Sequence, residues 1–266
     1  MKDLLIRAAS GALYIALLLG SLFWSELAYL IVVFSLGAYV TLEYCRLNKF
    51  AYWIGIPLLV FLGILLHTAD PFIKDPQIVV WVNIAVNLVA LLWLFSKERK
   101  LSQLEKRLLL IGNVILGLVA ISILPMDGNA FNYQVVIAVL CMLWANDTFA
   151  YLVGKNFGKT KLMERVSPKK TIEGLVGGFA GAIGVGIAAH FIYGTYGIIN
   201  WLILALIVTV FGTLGDLVQS KMKREAGVKD SGMIMPGHGG LYDRMDSLIF
   251  AAPFVYIFLI LNCYVS

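Results

Sequence analysis

The 266-residue chain is 60% hydrophobic and only 14% charged, with a formal net charge of +5 and a mean hydropathy of +0.86. Soluble domains carry about 25% charged residues, so composition excludes that class and points to a membrane protein. Cys45, Cys141 and Cys263 are scattered through apolar segments without a C-x-x-C pair, which argues against a disulfide framework or a thiolate metal site.

A helical span needs roughly 20 mostly apolar residues. Uncharged runs fall at Ala8–Ser25, Leu27–Leu42, Phe50–Ala69, Pro76–Ser96 and Leu108–Met126, then at Gly128–Asn146, Gly174–Gly215 and Ser247–Ser266. The Gly174–Gly215 run is long enough for two spans, with Tyr193-Gly194-Thr195-Tyr196-Gly197 as the turn between them. The expected fold is therefore an all-α polytopic integral membrane protein of about nine transmembrane helices. The basic residues set its orientation. With nine spans, 20 of the 21 Lys and Arg fall on one side and only Lys74 on the other. The N-terminus is thus expected in the cytoplasm and the C-terminus outside, with an uncleaved first helix. Because the positive charge serves topology, nucleic-acid binding is not expected.

Residues 1–125 read as about five structural, lipid-facing helices. Glu43 and Arg46 are spaced for an i,i+3 ion pair at the interface. Trp24, Trp53, Trp81 and Trp93 fall near helix ends, as interfacial anchors do. His67 has no neighbouring His or Cys and reads as an interfacial histidine. Lys97–Arg107 is a short basic stretch suited to anionic headgroups.

The character changes in residues 126–266, about four helices expected to carry a site facing the cytoplasm. Asp147 lies in apolar sequence, where an unpaired carboxylate costs at least ~2.5 kcal/mol, so it should face a polar cavity. Residues 154–174 then hold six basic and two acidic residues. Within them Ser167-Pro168-Lys169-Lys170-Thr171-Ile172-Glu173-Gly174 reads as a helix start with Thr171 as N-cap, a place where an anion meets amides and lysines together. In the next span Gly174/Gly178 and Gly177/Gly181 are small-xxx-small pairs for close helix packing. His190, in the same span, reads as structural.

Asp216 ends the eighth span and Ser220, at i+4, shares its face. Lys223, Arg224, Lys229, Asp230 and Pro236-Gly237-His238-Gly239-Gly240 follow, then Asp243, Arg244 and Asp246. Asp243 and Asp246 are i,i+3, and a helix starting there brings both towards the depth of Asp216. Three converging carboxylates need a cation between them, and an all-oxygen set suits Mg²⁺. The neighbouring bases and glycines suit a polyphosphate.

Ser220-x-Met222-Lys223-Arg224-x4-Lys229-Asp230-x5-Pro236-x-His238-Gly239-Gly240-x2-Asp243-Arg244-x-Asp246 resembles the signature of the phosphatidate cytidylyltransferases, or CDP-diacylglycerol synthases. Asp147-x2-Ala150-Tyr151 and Ser167–Gly174 resemble that family's upstream blocks. The resemblance implies transfer of cytidylyl from CTP to phosphatidic acid in the bacterial cytoplasmic (inner) membrane. It also implies Mg²⁺, a second, monovalent cation such as K⁺, and a homodimer. It makes Asp216 and Asp243 the metal-binding acids, supported by Asp246 and Asp147. Lys223, Arg224 and Arg244 are then expected on the CTP phosphates. Lys169 and Lys170 are expected on CTP or the lipid headgroup, and Thr171, Glu173, Ser220, Lys229, Asp230, His238, Gly239 and Gly240 complete the binding set. A CDP-alcohol phosphotransferase is excluded because Asp127-Gly128 is not followed by that family's motif. A CTP-dependent lipid-alcohol kinase and a transporter remain as rivals.

Overall fold

Long apolar sequence with internally satisfied backbone leaves the helix as the economical spanning structure, and helices dominate the computed structural model. It describes residues 2–68, 76–127, 130–235 and 239–262. In order these are α1 (Lys2–Trp24), α2 (Glu26–Asn48), α3 (Tyr52–Thr68), α4 (Pro76–Phe95) and α5 (Gln103–Leu109). A π-helical segment at Leu110–Ile115 continues α5 into α6 (Leu116–Ile123). Then come α7 (Tyr133–Phe157), α8 (Ile172–Tyr193), α9 (Ile198–Glu225) and α10 (Tyr242–Asn262). The short strands β1 (Met126–Asp127) and β2 (Ala130–Phe131) pair antiparallel, as do β3 (Lys161–Met163) and β4 (Ser167–Thr171). Among the described residues seven helices are long and apolar enough to cross a membrane; α1 and α3 contribute the shorter apolar pieces Ala9–Trp24 and Gly55–His67. The protein is an all-α polytopic membrane protein.

Local chemistry sets the helix ends. The Ser25 hydroxyl accepts from the Ala28 amide at the start of α2, and Ser102 and Glu105 form a reciprocal capping box on α5. The expected turn inside the long apolar run is present: α8 stops at Tyr193 and Gly194 caps it with φ 63°. Two boundaries differ from the hydropathy reading. Helix α7 runs through Asp147 to Phe157, eleven residues past the apolar run, because a carboxylate that faces a cavity gives the backbone no reason to stop. Helix α9 likewise continues past Asp216 to Glu225.

The small-xxx-small glycines pack as expected. A Cβ on Gly174 would lie 2.8 Å from the Ala150 carbonyl, and one on Gly178 equally near the Asn146 carbonyl, while Gly177 and Gly181 lie against Val153 and Phe149. All four therefore face α7, whose backbone approaches too closely for side chains between. Polar contacts fasten the N-terminal half. Asn113 donates to Asn87 at 2.7 Å, Asn87 to the Phe250 carbonyl at 3.4 Å, and Asn83 to the Gly112 carbonyl beside the π-helical segment.

The connections sort into two ends. Arg165, from the β3–β4 hairpin, donates to the Leu94 and Ser96 carbonyls at the end of α4, and Lys221 of α9 donates to the Trp93 and Ser96 carbonyls. The Leu101 amide donates to Glu225, and the Tyr44 hydroxyl ties the end of α2 to the Lys106 carbonyl. The ends of α2, α4, α7 and α9 thus meet together. At the opposite end Asn132 bonds Tyr196, and Thr195 bonds Gln134.

Several N-terminal expectations need correction. Trp93 is not an interfacial anchor but is 1% exposed, with the Lys221 ammonium 4.4 Å from its ring centre. Trp24 and Trp81 are exposed; the Trp53 side chain lies outside the described residues. Glu43 is 1% exposed and turned inward, whereas Arg46 is exposed, so the i,i+3 pair does not form. His67 lies 3.1 Å from the Ser122 hydroxyl, and His190 3.0 Å from the Tyr196 carbonyl. Lys74 and Cys263 lie outside the described residues.

Candidate active site

Four elements converge where the charged ends meet: the second half of α7, the β4–α8 junction, the end of α9 and the start of α10. They enclose a cavity of about 320 Å³ whose wall carries Asp147, Lys169, Lys170, Thr171, Asp216, Asp243, Arg244 and Asp246. A second cavity, of about 380 Å³, shares Asp147, Asp243, Arg244, Asp246 and Ser247 with the first. Its remaining wall is largely apolar, from Tyr14 and Ile15 of α1, Leu140, Leu143 and Trp144 of α7, and Leu248 of α10.

The junction before α8 is built as its sequence suggests. Thr171 caps the helix, its hydroxyl accepting from the Gly174 amide at 3.1 Å. The preceding Ser167–Thr171 segment is held as a strand, with Lys161 and Met163 facing Thr171 and Ser167 across the ladder. Thr171→Ala is expected to lower stability by about 1 kcal/mol, and Thr171→Ser to restore it, in thermal unfolding of detergent-solubilised protein.

Lys170 forms an ion pair with Asp216, and the Ser220 hydroxyl donates to the other Asp216 oxygen at 3.3 Å. Burial disfavours the Lys170 ammonium, but the Asp216 carboxylate beside it, with Asp147 and Asp246 behind, holds its pKa above the usual lysine value. On α9 one turn further, Lys223 pairs with Asp243 at 2.7 Å, both side chains 9% exposed. Gln219 donates to the same Asp243 oxygen at 2.9 Å. The second Asp243 oxygen accepts the Ser231 and Gly240 amides at 2.9 and 3.0 Å. Asp246, 8% exposed, accepts the Ser247 amide at 2.7 Å.

The three expected metal acids therefore line one cavity but do not form a three-carboxylate cage. Among the described residues no group of three or more His, Cys, Asp or Glu is gathered to hold a metal ion. The reason lies with Asp243, whose two oxygens are taken up by four protein donors. Asp216 and Asp246 remain the carboxylates aimed into the cavity from facing helices.

Other expected residues fall outside the two walls. Glu173 binds the Lys159 and Thr160 amides at 3.0 and 3.1 Å, closing the α7–β3 turn. Arg224 is exposed and donates to the Val228 carbonyl at 3.0 Å, and Lys229 and Asp230 are exposed. Gly239, with φ 87°, bridges back to Met235, a left-handed turn that suits glycine. His238, with Pro236 and Gly237, lies outside the described residues.

Sequence reasoning missed Glu43. This carboxylate from α2 accepts the Leu241 and Tyr242 amides at 3.2 and 2.7 Å and the Ser231 hydroxyl at 3.1 Å. It also missed Gln219, and Tyr14 in the wall of the second cavity. The available signal for Glu43 was a carboxylate at a helix end otherwise rich in basic residues, and the nearby Arg46 offered a local explanation that hid it.

The model of a cytidylyltransferase family matches residues 5–262 of the chain. A Bacillus subtilis protein named phosphatidate cytidylyltransferase is 30% identical over 274 residues, covering 98% of this chain and 99% of that protein. One of the same name from Staphylococcus saprophyticus is 35% identical over 68% of this chain and 72% of its own length. A third, from Synechocystis, is 46% identical over 48% of this chain and 43% of its own length.

Proposed function

Because the chain belongs to the cytidylyltransferase family, and is thus a nucleotidyltransferase, we propose that it transfers cytidylyl from CTP to phosphatidic acid. The products are CDP-diacylglycerol and pyrophosphate. The observation that carries this reading is the wall of Asp147, Asp243, Arg244 and Asp246 shared by two cavities, one lined by lysines and the other by apolar side chains. Such a wall suits a reaction joining a polar nucleotide to a lipid.

In this reading the CTP phosphates lie in the first cavity against Lys169, Lys170 and Arg244. The glycerol and the upper acyl chains lie in the second, against Tyr14, Leu143 and Trp144. A phosphatidate oxygen attacks the α-phosphorus of CTP. The new P–O bond forms as the bond from the α-phosphorus to the bridging oxygen breaks, and the electron pair leaves on pyrophosphate. The lipid phosphate is already anionic, so no strong general base is required. The protein's contribution is to hold two anions together in line and to neutralise the charge on the leaving group.

Mg²⁺ commonly binds one or two carboxylates and takes its remaining ligands from phosphates and water. Asp216 and Asp246 fit that requirement, since both are hard oxygen donors aimed into the cavity beside Lys170. Bound there, Mg²⁺ would neutralise charge on the transferring phosphates. Lys170, paired with Asp216 on the same wall, would face the nucleotide phosphates held there. A monovalent cation and a homodimer belong to the same proposal. So does an inner-membrane orientation with the active site open to the cytoplasm, which the 20 of 21 basic residues on one predicted side support.

Purified protein given radiolabelled CTP, phosphatidic acid and Mg²⁺ is expected to release pyrophosphate and leave cytidine in the lipid fraction. Transfer of phosphate alone would favour a lipid kinase. No release of pyrophosphate would overturn the enzyme reading.

A further inference from the structure

We infer that Glu43 is a positioning residue for this reaction, gripping the start of α10 from the opposite half of the molecule. The inference rests on the proposed function for its activity readout but not for its structural one. Glu43 lies in the next-to-last turn of α2 and lines neither cavity, yet its nearest polar partners are 188 to 199 residues away in sequence. Two of them are the Leu241 and Tyr242 amides, at the N-terminus of α10. Helix-initial amides have no intrahelical acceptor and must find one elsewhere. Here a carboxylate from a different helix supplies it, close to the positive end of the α10 dipole.

The geometry joins this grip to the site. Ser231 is held twice: its hydroxyl donates to Glu43 and its amide to Asp243. Asp243 also takes the Gly240 amide, one residue before the Leu241 amide taken by Glu43. The two carboxylates thus hold Ser231 against the Gly240–Tyr242 backbone, with Arg244 immediately beyond. Glycine is required where the clamp closes. A Cβ on Gly232 would collide with the Glu43 carboxylate, and one on Gly240 would lie 2.6 Å from it. Behind Glu43, Tyr44 packs edge-on against Tyr242 with ring centres 5.9 Å apart, so the last turns of α2 form a rigid base for the loop.

Removing the grip should leave the helical body standing while the Asp243–Arg244 pair loses its fixed position. Glu43→Gln keeps the shape but turns an amide nitrogen towards the Leu241 N–H. Gly232→Ala displaces the carboxylate without altering it. Each is expected to lower kcat/KM for CTP by about tenfold, in line with one buried donor left unsatisfied. The KM for phosphatidic acid should rise as well, because Asp243 and Arg244 border both cavities. Ser231→Ala, which leaves both α10 amides bound, should stay within about threefold of the parent.

The independent readout is hydrogen exchange. The Ser231, Gly240, Leu241 and Tyr242 amides should exchange faster in Glu43→Gln and Gly232→Ala, with the α8 and α9 amides unchanged. Parental activity and exchange in both variants would overturn the inference. So would variants recovered only as aggregate, or activity lost in proportion to folded protein, since those results mark a purely structural carboxylate. An inactive parent showing the localised exchange change would remove the proposed reaction and leave the clamp standing.

Discussion

Replacing Asp243 with Asn is expected to lower turnover by about 10²- to 10³-fold while the protein still inserts and folds. The magnitude is that of removing one fixed charge-bearing group from a preorganised site. Asp243 accepts from Gln219, Lys223, Ser231 and Gly240 at 2.7 to 3.0 Å, and its neighbour Arg244 borders both cavities. An amide in its place offers one acceptor and turns a donor towards other donors. The buried Lys223 ammonium then loses a charged partner, which should cost about 2 kcal/mol of stability. Adding Lys223→Met removes that stranded charge, so the double variant should regain stability in thermal unfolding. Turnover should not return. If the double variant were active, Asp243 would be only the mate of Lys223, and its place at the shared wall would be without catalytic meaning.

Lys170→Met is expected to have a similar effect by another route. Lys170 is the cation on Asp216 and, in the proposed reaction, a clamp on the CTP phosphates. Its removal should lower kcat/KM for CTP by about 10²- to 10³-fold, read as pyrophosphate release against CTP concentration. Lys97→Met, on the exposed basic stretch, is the control and should be close to parental. The lysine should not contribute to the pH profile near neutrality. A folded-state lysine pKa raised above its unfolded value gives stability that is complete below the unfolded value, ordinarily about 10.4. That stability is lost only as pH rises through the folded value. An activity change traced to Lys170 between pH 6 and pH 9 would contradict the ion pair.

Much of the fold was legible because its signals are local. The Thr171 cap, the Gly194 turn, the glycine face of α8 and the Asp216/Ser220 pair each depend on residues within a turn or two of one another. The candidate site was partly legible for the same reason. Asp216, Asp243 and Asp246 were expected to come together, and all three line one cavity. Their division of labour was not. An i,i+3 spacing states that Asp243 and Asp246 share a side of a helix, not that Asp243 is saturated by donors from α9 and the loop while Asp246 faces the cavity. Glu173, chosen as a binding residue, instead closes the turn after α7.

Composition and run length by themselves determined that this is a polytopic helical membrane protein, and the motifs placed the expected site residues in the C-terminal half. Hydrocarbon forces that result, since each span must be long, apolar and internally hydrogen-bonded whatever its neighbours are. Only the tertiary structure decided that the N-terminal half takes part. Glu43 meets α10 across 199 residues of sequence, and Tyr14 of α1 lines a cavity with α10 residues, separations at which no spacing rule operates. Buried amides at the start of α10 need an acceptor from somewhere. Packing, not periodicity, selected Glu43 of α2 to supply it.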